Sequence, residues 1–168
     1  MIKAIFILTG LTLIPLLELR ASIPIGFFSM SQKISWPIVS LVCILANMVL
    51  GWIVYGIMGP VFIFIRRWRW FDQKIWPILE KTRHKIHPYV EKYGELGVAV
   101  FIGIPLPGSG VYSGALGAYL LGVDKKKFAI ANILGVLIAG CAVTLVSLLI
   151  LKGAIGENSW ISRLFLKM

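Results

Sequence analysis

The sequence predicts an all-α integral membrane protein: an inverted repeat of a re-entrant helical hairpin plus a transmembrane helix, with a basic amphipathic connecting region between the halves. Three observations lead there. Of the 168 residues, 58% are apolar, and they fall in long blocks without a formal charge at 4–17, 21–32, 34–65, 96–123 and 128–151. Such blocks suit a bilayer better than a soluble core. Two hydrophobic stretches, 4–31 and 96–123, are interrupted near the middle by proline, glycine and polar residues. Backbone released from helical bonding must be buried in protein or line a wet cavity, and a hydrophobic segment broken in this way points to a transport site. Finally, the order of short run, broken centre, short run, lysine-bearing turn and long span occurs twice.

Taken in order, residues 4–14 supply a helix about 16 Å long at 1.5 Å per residue, roughly half of a hydrocarbon core of about 30 Å. Met1-Ile2-Lys3 before an apolar run resembles a signal peptide, but Glu18 and Arg20 stand where the cleavage region would be, so the run is assigned to the first repeat. Pro15 and Pro24 bracket Glu18 and Arg20. Either residues 4–31 dip inward and return as two half-helices, or they form one kinked span. Residues 34–65 hold 32 uncharged residues opening with Trp36-Pro37, a full span with an interfacial start, ending near Pro60 or continuing to residue 65.

Residues 66–92 carry eight Lys/Arg against three Asp/Glu. They read as one or two amphipathic helices at headgroup level, interrupted by Pro77 and Pro88, with Trp68, Trp70, Phe71 and Trp76 as interfacial rings. Residues 96–104 descend, the Pro/Gly break follows, and 111–121 return. Gly122-Val123-Asp124 makes a turn, Asp124 caps the next helix, and 128–151 form a second full span. The parts are thus one membrane domain, 1–168, divided into a first repeat (2–65), the connection (66–92), a second inverted repeat (93–152) and a tail (153–168).

Composition also excludes functions. The net charge of +10 lies between apolar blocks, where membrane lipids and the positive-inside bias account for it, so no nucleic-acid partner is expected. Cys43 and Cys141 lack ligand spacing and read as buried small hydrophobes; His84 and His87 lack a third ligand, so no metal site is expected. Enzyme signatures such as HExxH, CxxC and GxSxG are absent. No cofactor is called for, and the coupling left open is to a proton or a sodium ion. With re-entrant hairpins, one side carries 11 Lys/Arg (residues 66–92 and 125–127) and the other five; with complete crossings the division is 12 to four. Both put residues 66–92 in the cytoplasm of a multi-pass prokaryotic membrane protein, and the termini are extracytoplasmic if both broken segments re-enter.

The breaks hold the candidate site. A returning half-helix presents its N-terminal N–H groups and positive dipole end at the apex. Two such ends, near Ser22-Ile23-Pro24 and Ser109-Gly110-Val111, would converge on a place suited to an anion. Glu18 suits reversible protonation or a cationic group. Arg20 suits partnership with Glu18 or bidentate hold on a phosphate. Pro105 and Pro107 break the second segment; Gly108 and Gly110 bring backbone donors close, and Ser109, Tyr112 and Ser113 add hydroxyls. Asn47 and Asn132, in the echoing Ala46-Asn47-Met48 and Ala131-Asn132-Ile133, offer secondary polar support. Two plainer readings stay open: Glu18 and Arg20 mark an interface-level kink, and the glycines form a hinge packed through Gly110-x-x-x-Gly114.

Glu18-Leu19-Arg20-Ala21-Ser22-Ile23-Pro24 and Pro105-Leu106-Pro107-Gly108-Ser109-Gly110-Val111-Tyr112-Ser113-Gly114 resemble the two signatures of the small multidrug export protein family, over about residues 10–150. More distantly the chain resembles DedA-type membrane proteins. That resemblance implies facing re-entrant hairpins and carriage of undecaprenyl phosphate or other lipid phosphates, with Glu18 and Arg20 corresponding in character to the acidic and basic site residues. A second acid and arginine at 105–114 are missing here. The functional expectation is a secondary transporter or flippase for an amphipathic, phosphate-bearing substrate such as a polyprenyl phosphate, with proton coupling through Glu18. The alternatives are a proton-coupled multidrug exporter and a non-transporting scaffold. So small a bundle leaves room for a homodimer.

Overall fold

The computed structural model describes residues 2–15, 17–30, 34–104 and 109–151, with backbone alone at 79 and 82–92. It is all-α: α1 (Ile2–Leu13), α2 (Glu18–Ser29), α3 (Trp36–Ile65), a π-helical turn (Phe71–Ile75), α4 (Trp76–Gly103), α5 (Val111–Leu121) and α6 (Lys125–Leu151).

α3 and α6 are the two helices long and apolar enough to cross a membrane. At 1.5 Å per residue they extend about 45 and 40 Å. Only 33% of the most apolar window of each is buried, whereas a soluble core helix would be mostly covered. Leu41, Leu45 and Ile53 on α3, and Leu134, Ile138 and Leu145 on α6, stand exposed. This is a multi-pass membrane protein whose apolar surface meets lipid. The buried sides of α3 and α6 face each other, joined by Thr144 Oγ1 donating to Ser40 Oγ at 2.9 Å.

The short helices pair. Thr12 Oγ1 reaches Ser22 Oγ at 2.7 Å, and one turn back on α1 Leu8 packs where Gly26 of α2 leaves room. As numbers rise along α1 they fall along α2, so the two are antiparallel. α4 and α5 behave alike: Ile102 meets Gly114, while Gly94 lies across from Leu121. α1 packs on α3 and α4 on α6; α2 crosses to α6 and α5 crosses to α3.

Several boundaries differ from expectation. α2 starts at Glu18, not near Ser22, so Ser22 and Pro24 lie inside it, with Pro24 buried. Of the two ends expected for α3 the longer is found, the helix continuing through Pro60 to Ile65. The connection and the descending run form one helix: α4 passes through Pro88 without interruption, so residue 93 is no structural boundary. Proline is tolerated in such helices where neighbours re-satisfy the released backbone groups. Cys43 is buried as expected, but Cys141 is exposed on the apolar surface of α6.

Two turns join these helices, and the second is the Gly122-Val123-Asp124 turn expected from sequence. Trp68 and Trp70 are exposed, and Arg66 pairs with Asp72 at 2.7 Å while lying over the Trp76 ring. Gly122 ends α5 in the left-handed region at φ 77°, where a side chain would be strained. Val123 N–H then donates back to the Ala118 carbonyl at 2.9 Å, a Schellman-type stop. Asp124 Oδ2 accepts from Lys126 N–H at 3.0 Å, the cap expected from sequence. Tyr55 of α3 fastens this turn: its ring stacks on Phe128 at 4.3 Å between centroids, and its hydroxyl donates to the Val123 carbonyl.

Replacing Tyr55 by Phe should keep the stacking and lose that bond. An unfolding titration in mixed detergent should show a loss of about 1 kcal/mol, with helix content unchanged. No change in midpoint would show that the hydroxyl contributes nothing to the corner.

Candidate functional site

The centre of the molecule is set by two helix ends. α4 ends at Gly103 and α5 begins at Val111, so the last carbonyls of one and the first N–H groups of the other lack helical partners. Val111 is fully buried, where an unsatisfied donor costs about 1–3 kcal/mol. The first hairpin supplies the partners. Glu18 Oε2 accepts from Val111 N–H at 3.1 Å and Oε1 accepts from Tyr112 N–H at 3.2 Å. Two residues on, Arg20 Nη2 donates to the Ile104 carbonyl at 3.0 Å, to Ser109 Oγ at 3.2 Å and, more distantly, to the Ile102 carbonyl at 3.4 Å. The carboxylate thus meets the positive end of α5 and the guanidinium the negative end of α4, the arrangement that helix dipoles favour.

Local geometry serves this contact. Glu18 holds φ at 46°, the one non-glycine positive φ among the described residues. Such a conformation costs about 1–3 kcal/mol and persists where the surroundings over-determine it; here two backbone bonds do so. Gly110 is required by proximity: a Cβ there would lie 2.5 Å from Glu18 Oε2 and 2.7 Å from Oε1. The Gly110 N–H donates to Ser113 Oγ at 3.0 Å, satisfying another donor at the α5 start in the manner of the reciprocal half of a capping box. Tyr112 Oη donates to the Leu13 carbonyl at 2.6 Å, closing the end of α1 as well.

Between these groups lies a cavity of about 110 Å³, lined by Pro15, Glu18, Arg20, Ser109, Gly110, Tyr112 and Ser113. Its volume is room for about three waters or one small anion. Glu18 and Arg20 are each only 6% exposed, which argues against a kink snorkelling at the interface.

Of the residues singled out from sequence, Glu18, Arg20, Ser109, Gly110, Tyr112 and Ser113 come together here. Ser22 does not reach the cavity; it is buried, donates to the Glu18 carbonyl at 2.8 Å and meets Thr12. Pro24 lies deeper in α2 and also stands apart. Pro105, Pro107 and Gly108 lie outside the described residues. Asn132 Nδ2 donates to the Met48 carbonyl at 2.9 Å, its amide fitting against Gly51, where any Cβ would collide with it. Asn132 therefore ties α6 to α3 away from the cavity, and Asn47 is buried on α3. Among the described residues no group of three or more His, Cys, Asp or Glu could hold a metal.

The N–H groups at the α5 start were expected from sequence to meet an outside anion, and instead Val111 and Tyr112 donate to Glu18; the carbonyls of Leu13, Ile102 and Ile104 carried no signal. Sequence reasoning also missed Thr12. The signal for Thr12 was a hydroxyl one turn before Pro15 in a run whose other hydroxyl is Thr9.

Glu18→Ala should destabilise the fold by about 3–5 kcal/mol, leaving buried charge and N–H groups without partners. Gly110→Ala should cost about 1–3 kcal/mol by overpacking, but far less when Glu18 is already Ala. A double-mutant cycle by detergent unfolding should give a coupling of at least about 1 kcal/mol; additive costs would contradict the contact.

No curated protein and no solved structure matches the chain, and no comparison supports a separate relationship to DedA-type proteins. One family does match, that described as "Putative small multi-drug export protein", over residues 18–142. The match begins at Glu18 and includes every described residue of the cavity except Pro15. The chain belongs to this small multi-drug export protein family.

Proposed function

We propose that the protein is a small secondary transporter that moves an amphipathic molecule with an anionic, phosphate-bearing head across the membrane. The observation that carries this reading is the occupancy of the α5 N-terminus by the protein's own carboxylate, beside Arg20 and a small cavity. A helix start in buried surroundings favours an anion. Glu18 fills that role at rest, and a phosphate can take its place at equal or greater charge. Arg20 and the hydroxyls of Ser109, Tyr112 and Ser113 line the same space, and a guanidinium suits phosphate oxygens better than lysine would. A proton on Glu18 removes the competing charge as substrate arrives, which couples the two.

In this reading the hairpins α1–α2 and α4–α5 enter the bilayer from opposite faces as halves of an inverted repeat. Three observations support it: the helices of 12, 12 and 11 residues are too short to span, both pairs are antiparallel, and the packing partners keep their pattern when the first three helices exchange with the last three. The basic residues of 66–92 and 125–127 then face the cytoplasm of a prokaryotic cell membrane. Membership of an export family fits a carrier rather than an enzyme. It also gives weight to a second reading, export of drug-like organic cations paired with Glu18, a carboxylate buried to 6% exposure.

Flux of a short alkyl phosphate in proteoliposomes discriminates. Arg20→Ala should lower it about tenfold or more, the loss of a charge-assisted contact, and Glu18→Gln should flatten its dependence on pH. Undiminished alkyl phosphate flux in Arg20→Ala, with tetraphenylphosphonium carried by the wild type, would replace the phosphate reading with the cation exporter. No flux of either probe through the wild type above that of protein-free liposomes would favour a scaffold.

A further inference from the structure

α4 and α5 do not stay in contact along their length. Near the break they are tight: a Cβ on Gly114 would come within 2.5 Å of Ile102. Further from the break they part, and a Cβ added at Gly97 or at Gly117 would meet no atom within 4 Å. The opening is a groove of about 380 Å³ whose walls include Gly97, Val98, Phe101, Gly117 and Leu121, with Ser113 at its inner end. Ser113 also lines the polar cavity beside Glu18 and Arg20. A charged pocket and an apolar groove therefore share one side chain.

We infer that this groove receives the hydrocarbon chain of the amphiphile whose head enters the Arg20 cavity; the inference rests on the function proposed above and specifies how the substrate lies. The groove's walls are almost wholly apolar, matching a chain and not a second polar group. Its size argues against a neighbouring helix. A helix with its side chains is about 10 Å across and rises about 5.4 Å per turn, so less than one turn would fill the space, whereas a single alkyl chain threads it. Its position along α4–α5 lets the chain leave sideways toward lipid while the head stays on the α5 start. The two small residues that keep it open, Gly97 and Gly117, then set which chains are accepted.

The test uses the full chain in lipid nanodiscs and two probes. Dodecyl phosphate carrying a diazirine at the chain end reports where the tail lies, by mapping of its photo-adducts. Inorganic phosphate, followed by calorimetry, reports the head site alone. Wild-type adducts should concentrate on Val98, Phe101 and Leu121. In Gly97→Leu and Gly117→Leu they should fall about tenfold, while inorganic phosphate binds as to wild type and loses affinity only in Arg20→Ala. Adducts spread over lipid-facing residues such as Leu45 and Ile138, with Arg20-dependent phosphate binding intact, would overturn the groove and leave the head site standing. Phosphate binding indifferent to Arg20→Ala would overturn both. Photo-adducts excluded by cross-links between two copies through α4–α5 would make the groove a dimer face. Should a leucine variant fail to fold, the wild-type adduct map decides the question by itself.

Discussion

A helix that begins inside a protein must give its first N–H groups to something other than water, and one that ends there must do the same for its last carbonyls. Here both ends are answered by two side chains a single residue apart. Glu18 takes the N–H groups of Val111 and Tyr112, and Arg20 takes the carbonyls of Ile102 and Ile104 with Ser109. Neither charge is stabilised by burial itself, which disfavours both. Each is stabilised because a helix terminus of opposite sign lies against it. The backbone break of the second hairpin and the charges of the first are therefore parts of one structure.

The rest of the fold places these parts. α3 and α6 form a central pair, and each hairpin packs against both of them, so α2 and the α4–α5 junction are brought together. Small groups permit the approach: Gly110 admits the Glu18 carboxylate and Gly51 admits the Asn132 amide. The left-handed backbone at Glu18 stores strain at the point where the two hairpins meet. The small polar cavity that borders these charges coincides with the junction.

Much of this was legible in the sequence because membrane segments announce themselves by length and charge. The bounds of α5 follow from the glycines before Val111 and the Gly122-Val123-Asp124 stop. Glu18, Arg20, Ser109, Gly110, Tyr112 and Ser113 stood out as polar residues in apolar stretches. What the residues could not convey was the pairing across the two halves. Glu18 and Val111 are distant in sequence, and the partner is a backbone N–H that every non-proline residue possesses. The helix end was expected to await an external anion; at rest it holds an internal one. Prolines misled for a related reason. Pro15 lies at a true break, whereas Pro24, Pro60 and Pro88 sit within helices, and the residue type alone does not tell the two cases apart.

The central claim is that the two interrupted segments meet, with Glu18 against the start of α5. The most direct measurement is oxidative cross-linking in native membranes of Glu18→Cys with Gly110→Cys, after Cys43 and Cys141 are replaced by Ala. A disulfide within one chain is expected, formed at low protein density and absent from either single-cysteine variant. No cross-link, with the two cysteines reacting with an impermeant maleimide from opposite faces of the membrane, would contradict it.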